Sequence, residues 1–160
     1  MIDSYTLSIN LKKESLMTRP FHLALPTKKL KETEAFYTTI LGCTIGRQDS
    51  TWIDFDFAGH QLVFHECLGI DIESAANPVD GKQVRVPHFG VILTMEDWKK
   101  LALRLKNHDI KFIIEPYIRF QGTPGEQATM FFEDNNGYAL EMKAFENDDY
   151  IFKPFENIPI

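Results

Sequence analysis

Twice along this chain a short alternating apolar strand, opened by a histidine, leads into a helix-like segment and then into three more strand-like stretches. The first copy starts at Phe21-His22-Leu23-Ala24-Leu25 and the second at His88-Phe89-Gly90-Val91-Ile92-Leu93. A repeated strand–helix–strand order limits the fold to paired supersecondary units of one design. The expected class is α+β, with two βαβββ modules forming one cupped mixed sheet and helices on the outside. The modules span about 20–67 and 86–145 of a single domain over 20–145.

In the first module, Lys28 to Leu41 carries an apolar stripe of Leu30, Phe36, Tyr37, Ile40 and Leu41, and Gly42 is a natural stop. Strands are predicted at Cys43–Arg47, Thr51–Phe57 and His60–Glu66. In the second, Thr94 and Asp97 have capping-box spacing, and Trp98, Leu101, Ala102 and Leu105 follow a helical period. Strands are predicted near Ile110–Phe120, Ala128–Glu133 and Tyr138–Lys143. His22 and Val63 are 41 positions apart and His88 and Glu141 are 53 apart. The excess falls on the Gly/Pro-containing stretch 119–126, a loop by its turn chemistry. Residues 68–85, with Pro78 and Asp80-Gly81, are predicted to be a linker. Residues 1–19 read as an N-terminal arm, with Met17 an alternative start to Met1. Residues 146–160 read as an acidic, aromatic tail that packs on its own domain or across a subunit boundary.

Side chains alternate between the faces of a strand. If Phe21, Leu23, Leu25 and Phe89, Val91, Leu93 pack under the helices, both histidines take the opposite face. Tyr138, Leu140 and Met142 likewise turn Ala139, Glu141 and Lys143 to the histidine side. Two neutral imidazoles and one carboxylate form a three-ligand set for a divalent metal and leave positions open for substrate or oxygen. The metal ligands expected are His22, His88 and Glu141. Val63 fills the matching fourth position and cannot ligate. Taken singly, a strand histidine beside a proline is more often a hydrogen-bonded structural residue than a ligand, and a glutamate near a strand end is usually solvated.

Other side chains share these faces. His65 is a candidate acid/base. Tyr117 and Arg119 are candidate substrate contacts, Arg119 as a bidentate carboxylate clamp. Trp52, Asp54 and Asp56 share one face, the aspartates as candidate partners of the ligating histidines. His60 reads as structural, and His108 as a helix C-terminal stabiliser. The stretch around Gly122 and Gly125 lacks the features that cradle phosphate.

The net charge of −6 argues against nucleic acid or an anionic membrane surface as the main partner. No apolar run reaches bilayer length and residues 1–17 lack a signal-peptide centre, so a cytoplasmic protein is expected. Cys43 and Cys67 lack metal-ligand spacing and read as free thiols.

With these segments in view, the chain resembles the vicinal oxygen chelate superfamily of glyoxalases, bleomycin-resistance proteins and extradiol dioxygenases, from about Arg19 to Phe145. The resemblance rests on Phe21 to Leu25, Ala35-Phe36-Tyr37 with Leu41-Gly42-Cys43, His88 to Val91, and Phe132 to Glu141. It implies ligands at His22, His88 and Glu141. Thr51 to Val63 and Gly125 to Asp134 are most similar to small extradiol-type dioxygenases. Phe131 stands where the extradiol signature has a tyrosine, and Asn135 where it has a proline. The resemblance implies a non-haem Fe(II) dioxygenase acting on a small aromatic or vicinal-oxygen substrate, with Mn, Zn, Ni and Co as alternative metals. A glyoxalase-like isomerase or lyase, a thiol transferase, or a metal-free small-molecule binding protein are the other readings. A homodimer is expected.

Overall fold

A computed structural model of the chain describes residues 19–69, 75–79, 82–123 and 125–152, and side chains outside 70–86. The expected arm before Arg19 and the tail beyond Phe152 lie outside the described residues. The first module comprises β1 (His22–Thr27), α1 (Leu30–Ala35), β2 (Thr44–Asp49), β3 (Trp52–Phe57) and β4 (His60–Glu66). Its helix widens into a π turn over Phe36–Ile40. It ends at Gly42, whose φ of 77° is what a terminating glycine supplies, with the Cys43 amide donating back to Tyr37 O. The second module comprises β7 (Ile92–Leu93), α2 (Met95–Asn107), β8 (Phe112–Arg119), β9 (Gln127–Glu133) and β10 (Ala139–Ala144). Thr94 caps α2 by accepting the Asp97 amide, as the spacing predicts.

Two α+β modules are present, each a four-stranded mixed sheet, ordered β1-β4-β3-β2 and β7-β10-β9-β8. The two four-stranded sheets, each with its helix, make the α+β fold of two modules that the repeated strand order predicts. Their helix-covered faces share one core. Tyr37, Phe55, Phe57 and Phe64 from the first module join Trp98, Met130, Phe132, Leu140 and Met142 from the second. Phe57 meets Phe89 edge-on, and Phe64 meets Tyr138. A polar seam pins the modules beside these rings. Tyr37 Oη donates to Asp134 Oδ2 at 3.0 Å, Tyr138 Oη to Pro26 O at 2.9 Å, and Thr27 Oγ1 to Asn136 Oδ1 at 2.7 Å.

Three local expectations need correction. Phe21 is 63% exposed, because the chain enters β1 beyond the edge of the core. The strand predicted from His88 is regular only over Ile92–Leu93, with a single bridge from Phe89 to Leu140 before it. The linker contains a hairpin of β5 (Ala75–Val79) and β6 (Lys82–Val86), with Asp80-Gly81 between the strands. Asp-Gly between short runs is a hairpin signal that the low apolar content of the segment hides. β6 comes close to both β10 and β8 of the second sheet.

Candidate functional site

The expected ligands fall into two groups, one on the polar face of each sheet. In the second module, Gly90 lets the segment before β7 run close against β10. The Phe89 amide donates to Ala139 O at 3.2 Å and the Glu141 amide to Phe89 O at 2.8 Å. A Cβ at position 90 would land on the Glu141 carbonyl oxygen, so a glycine is required there. This approach brings His88 Nε2 to 3.4 Å from Glu141 Oε2. Two cis ligands about 2.1 Å from one octahedral ion lie about 3.0 Å apart, so the pair needs little adjustment to share a metal.

The carboxylate is held on both oxygens. Thr129 Oγ1, from a buried position on β9, donates to Oε1 at 3.0 Å, and Lys143 Nζ lies 3.3 Å from Oε2. Phe131, 1% exposed, packs against the His88 imidazole in a T-shaped pair with ring centroids 5.3 Å apart. Thr129 and Lys143 face each other across the ladder, as do Phe131 and Glu141. Tyr117 sits opposite Thr129 and Arg119 opposite Gln127, so both lie on the face of Glu141. The Arg119 guanidinium stacks 4.5 Å above the Phe120 ring. Gly90→Ala is expected to destabilise the fold by about 2–3 kcal/mol, the cost of forcing atoms into a packed contact. Denaturant titration reads this directly, and an unchanged midpoint would show that the two segments have room to part.

In the first module His22 Nδ1 lies 2.8 Å from Gln61 Oε1, and Gln61 Nε2 donates to Asp54 Oδ2 at 2.8 Å. Asp54 is 4% exposed and also accepts the Arg47 amide, with the Arg47 guanidinium 3.4 Å away. Burial raises the Asp54 pKa, but the Arg47 amide, Gln61 and the Arg47 charge outweigh it and hold the carboxyl below its ordinary value. These groups border an open hollow of ≈ 480 Å³. His60 Nδ1 accepts the Phe21 amide at 3.0 Å, the structural role expected of it. His65 lies four residues beyond Gln61 on β4, about 13 Å along the strand, where its exposed ring tilts toward Trp52.

The structure thus brings His88 to Glu141 and leaves His22 on the other sheet. Among the described residues no three His, Cys, Asp or Glu side chains gather closely enough to hold one metal. Asp54 meets the histidine through Gln61, a link that face alternation cannot show. Thr129 escapes a reading of the sequence, because it sits between buried Ala128 and Met130 with no chemical signal of its own. Burial pushes the Cys43 thiol up to about 12, which leaves it a poor nucleophile. No described helix is long and apolar enough to cross a membrane.

Residues 19–142 match the family model described as the Glyoxalase/Bleomycin resistance protein/Dioxygenase superfamily. Among solved structures, the chain is similar to a glyoxalase/bleomycin resistance protein/dioxygenase from Alicyclobacillus acidocaldarius. The two are 32% identical over 83% of this chain and 96% of that one, with a TM-score of 0.68. A genomically encoded fosfomycin resistance protein from Listeria monocytogenes is 19% identical over 81% and 93%, with a TM-score of 0.60. A lactoylglutathione lyase from Agrobacterium tumefaciens is 15% identical over 79% and 92%, with a TM-score of 0.55. The last two likenesses are of fold alone. No curated protein matches the chain.

Proposed function

The chain belongs to the glyoxalase/bleomycin resistance protein/dioxygenase superfamily, and on that footing we propose a divalent-metal enzyme whose site two copies of the chain complete together. His22 of one copy joins His88 and Glu141 of the other. The observation that carries this reading is the division of the ligands. A His–Glu pair 3.4 Å apart lies on one polar sheet face and a lone oriented histidine on the other, while the helix-covered faces are spent on the core within the chain. A two-fold dimer that sets the first-module face of each copy against the second-module face of its mate makes two equivalent sites.

When bound, the metal acts as a Lewis acid toward a substrate that chelates it through neighbouring oxygens. The chain's own groups do the rest. Thr129 and Lys143 fix the rotation of the Glu141 carboxylate. Phe131 covers one edge of His88 against water. Tyr117 and Arg119 share that face and orient the substrate, Arg119 through a carboxylate. Fe(II) and an extradiol-type oxygenation are the finer assignment, ahead of Mn, Zn, Ni and Co. Phe131 favours a second reading, thiol transfer or glyoxalase-like isomerisation, because it puts a hydrocarbon edge where the extradiol signature has a phenol.

Anaerobic purification, metal analysis and oxygen uptake with a panel of catechols and hydroquinones test the assignment. The expected result is one divalent ion per chain and oxygen consumed with a substrate bearing adjacent oxygens. Metal without oxygen uptake moves the chemistry to the second reading. A protein that takes up neither Fe(II) nor Mn(II) overturns the enzyme.

A further inference from the structure

The hydrogen bonds that run inward from His22 have a fixed polarity. The Asp54 carboxylate, buried and held by the Arg47 amide and guanidinium, can only accept. The group of Gln61 that faces it must therefore be the amide nitrogen, 2.8 Å from Asp54 Oδ2. That choice turns Gln61 Oε1 toward His22 Nδ1, also 2.8 Å away, and an amide oxygen too can only accept. His22 Nδ1 must then carry the proton, which leaves the lone pair on Nε2. Gly46 is part of the arrangement, because a Cβ there would collide with Asp54 Oδ1 and push the carboxylate out of line.

We propose that Asp54 and Gln61 are positioning residues that hold His22 as the Nδ1–H tautomer and so make Nε2 the atom offered to a metal. Partners of this kind fix the tautomer and ring orientation of ligating histidines, and their loss weakens metal binding by roughly 10–100-fold. The metal half of the proposal rests on the reading given above; the tautomer half stands without it.

Asp54→Asn supplies a nearly isosteric test. The introduced carboxamide must still accept the Arg47 amide through its oxygen, so its NH2 faces Gln61. Gln61 then turns its own oxygen to that NH2 and its own NH2 to His22. His22 Nδ1 becomes an acceptor and the ring switches to the Nε2–H tautomer. Long-range proton–nitrogen correlation spectra of the metal-free full chain, at a pH where the imidazole is neutral, read the tautomer directly. The expected result is Nδ1–H in the natural protein, Nε2–H in D54N, and a mixture of the two in Gln61→Leu. Mn(II) titration followed by electron paramagnetic resonance should show binding weakened roughly 10–100-fold in both variants. An Nε2–H imidazole in the natural protein, or an unchanged Nδ1–H tautomer in D54N or Q61L, overturns the proposal. If D54N does not fold, Q61L decides alone. The titration separates the two ideas: His22→Ala that binds Mn(II) as tightly as the natural protein removes His22 from the metal site, and the tautomer measurement still stands.

Discussion

Tyr37→Ala is expected to lower the melting temperature by about 10–15 °C, from a loss of about 4–5 kcal/mol. Tyr37 is fully buried at the meeting of the modules, its ring against Phe36, Phe55, Phe57 and Phe64. Removing it empties a cavity in the shared core and also strips Asp134 of the Tyr37 hydroxyl. Asp134 is itself buried, and the groups that donate to it are neutral. Burial raises its pKa, while donation from the Tyr138 and Asn136 amides, the Asn136 side chain and Tyr37 pulls it part of the way back. With a folded pKa above the unfolded value near 3.8, its contribution to stability is fully present below that value and is lost as pH rises through the folded one. Tyr37→Phe removes a donor that favours the anion and raises the folded pKa further. Its deficit, about 1–3 kcal/mol, should be larger at pH 7 than at pH 4. Thermal melts across that range check the sign, and an equal deficit at both ends would place Asp134 outside the effect.

Glu141→Ala should cost at least about a hundredfold in Mn(II) affinity while leaving the melting temperature within about 2 °C. Ligands in direct contact with the metal outweigh the partners behind them, whose loss alone costs roughly 10–100-fold. The fold should survive because Glu141 faces away from the core that Leu140 and Met142 enter. Its removal also frees Thr129 and Lys143 from the carboxylate, so a modest change in stability is expected. Isothermal titration beside a thermal melt separates lost ligation from lost fold. Stoichiometric, tight metal in the variant would remove Glu141 from the site.

Strand and helix order is legible in the sequence because each module repeats the same periodicities. The two-residue alternation that puts Glu141 and Lys143 on one face reappears in the strand register, which also sets His22 beside Gln61. Alternation names a face, but it does not say what that face meets. Whether two sheets close over one cup or pack through their helix sides depends on side chains such as Tyr37, Phe57, Phe89 and Tyr138, apolar in either arrangement. The division of the three expected ligands between the sheets therefore lies beyond what alternation can tell. Gly90 looks like an ordinary strand position, yet a Cβ there would meet the Glu141 carbonyl, so only glycine lets this segment lie against β10 where His88 reaches the carboxylate. The seam around Asp134 is equally hidden, because the Asp134-Asn135-Asn136-Gly137 turn signals only a hairpin connection.

The shared site can be tested by mixing two defective chains. His22→Ala and Glu141→Ala homodimers should each fail to hold Mn(II) tightly, since every site lacks one ligand. In a mixed dimer one site carries both defects, and the other joins an intact His22 to an intact His88–Glu141 pair. After unfolding and refolding together at equal amounts, about one quarter of all sites should regain natural affinity, as random pairing of two-fold dimers dictates. Mn(II) binding no greater than in the separate variants would contradict a site built from two copies of the chain.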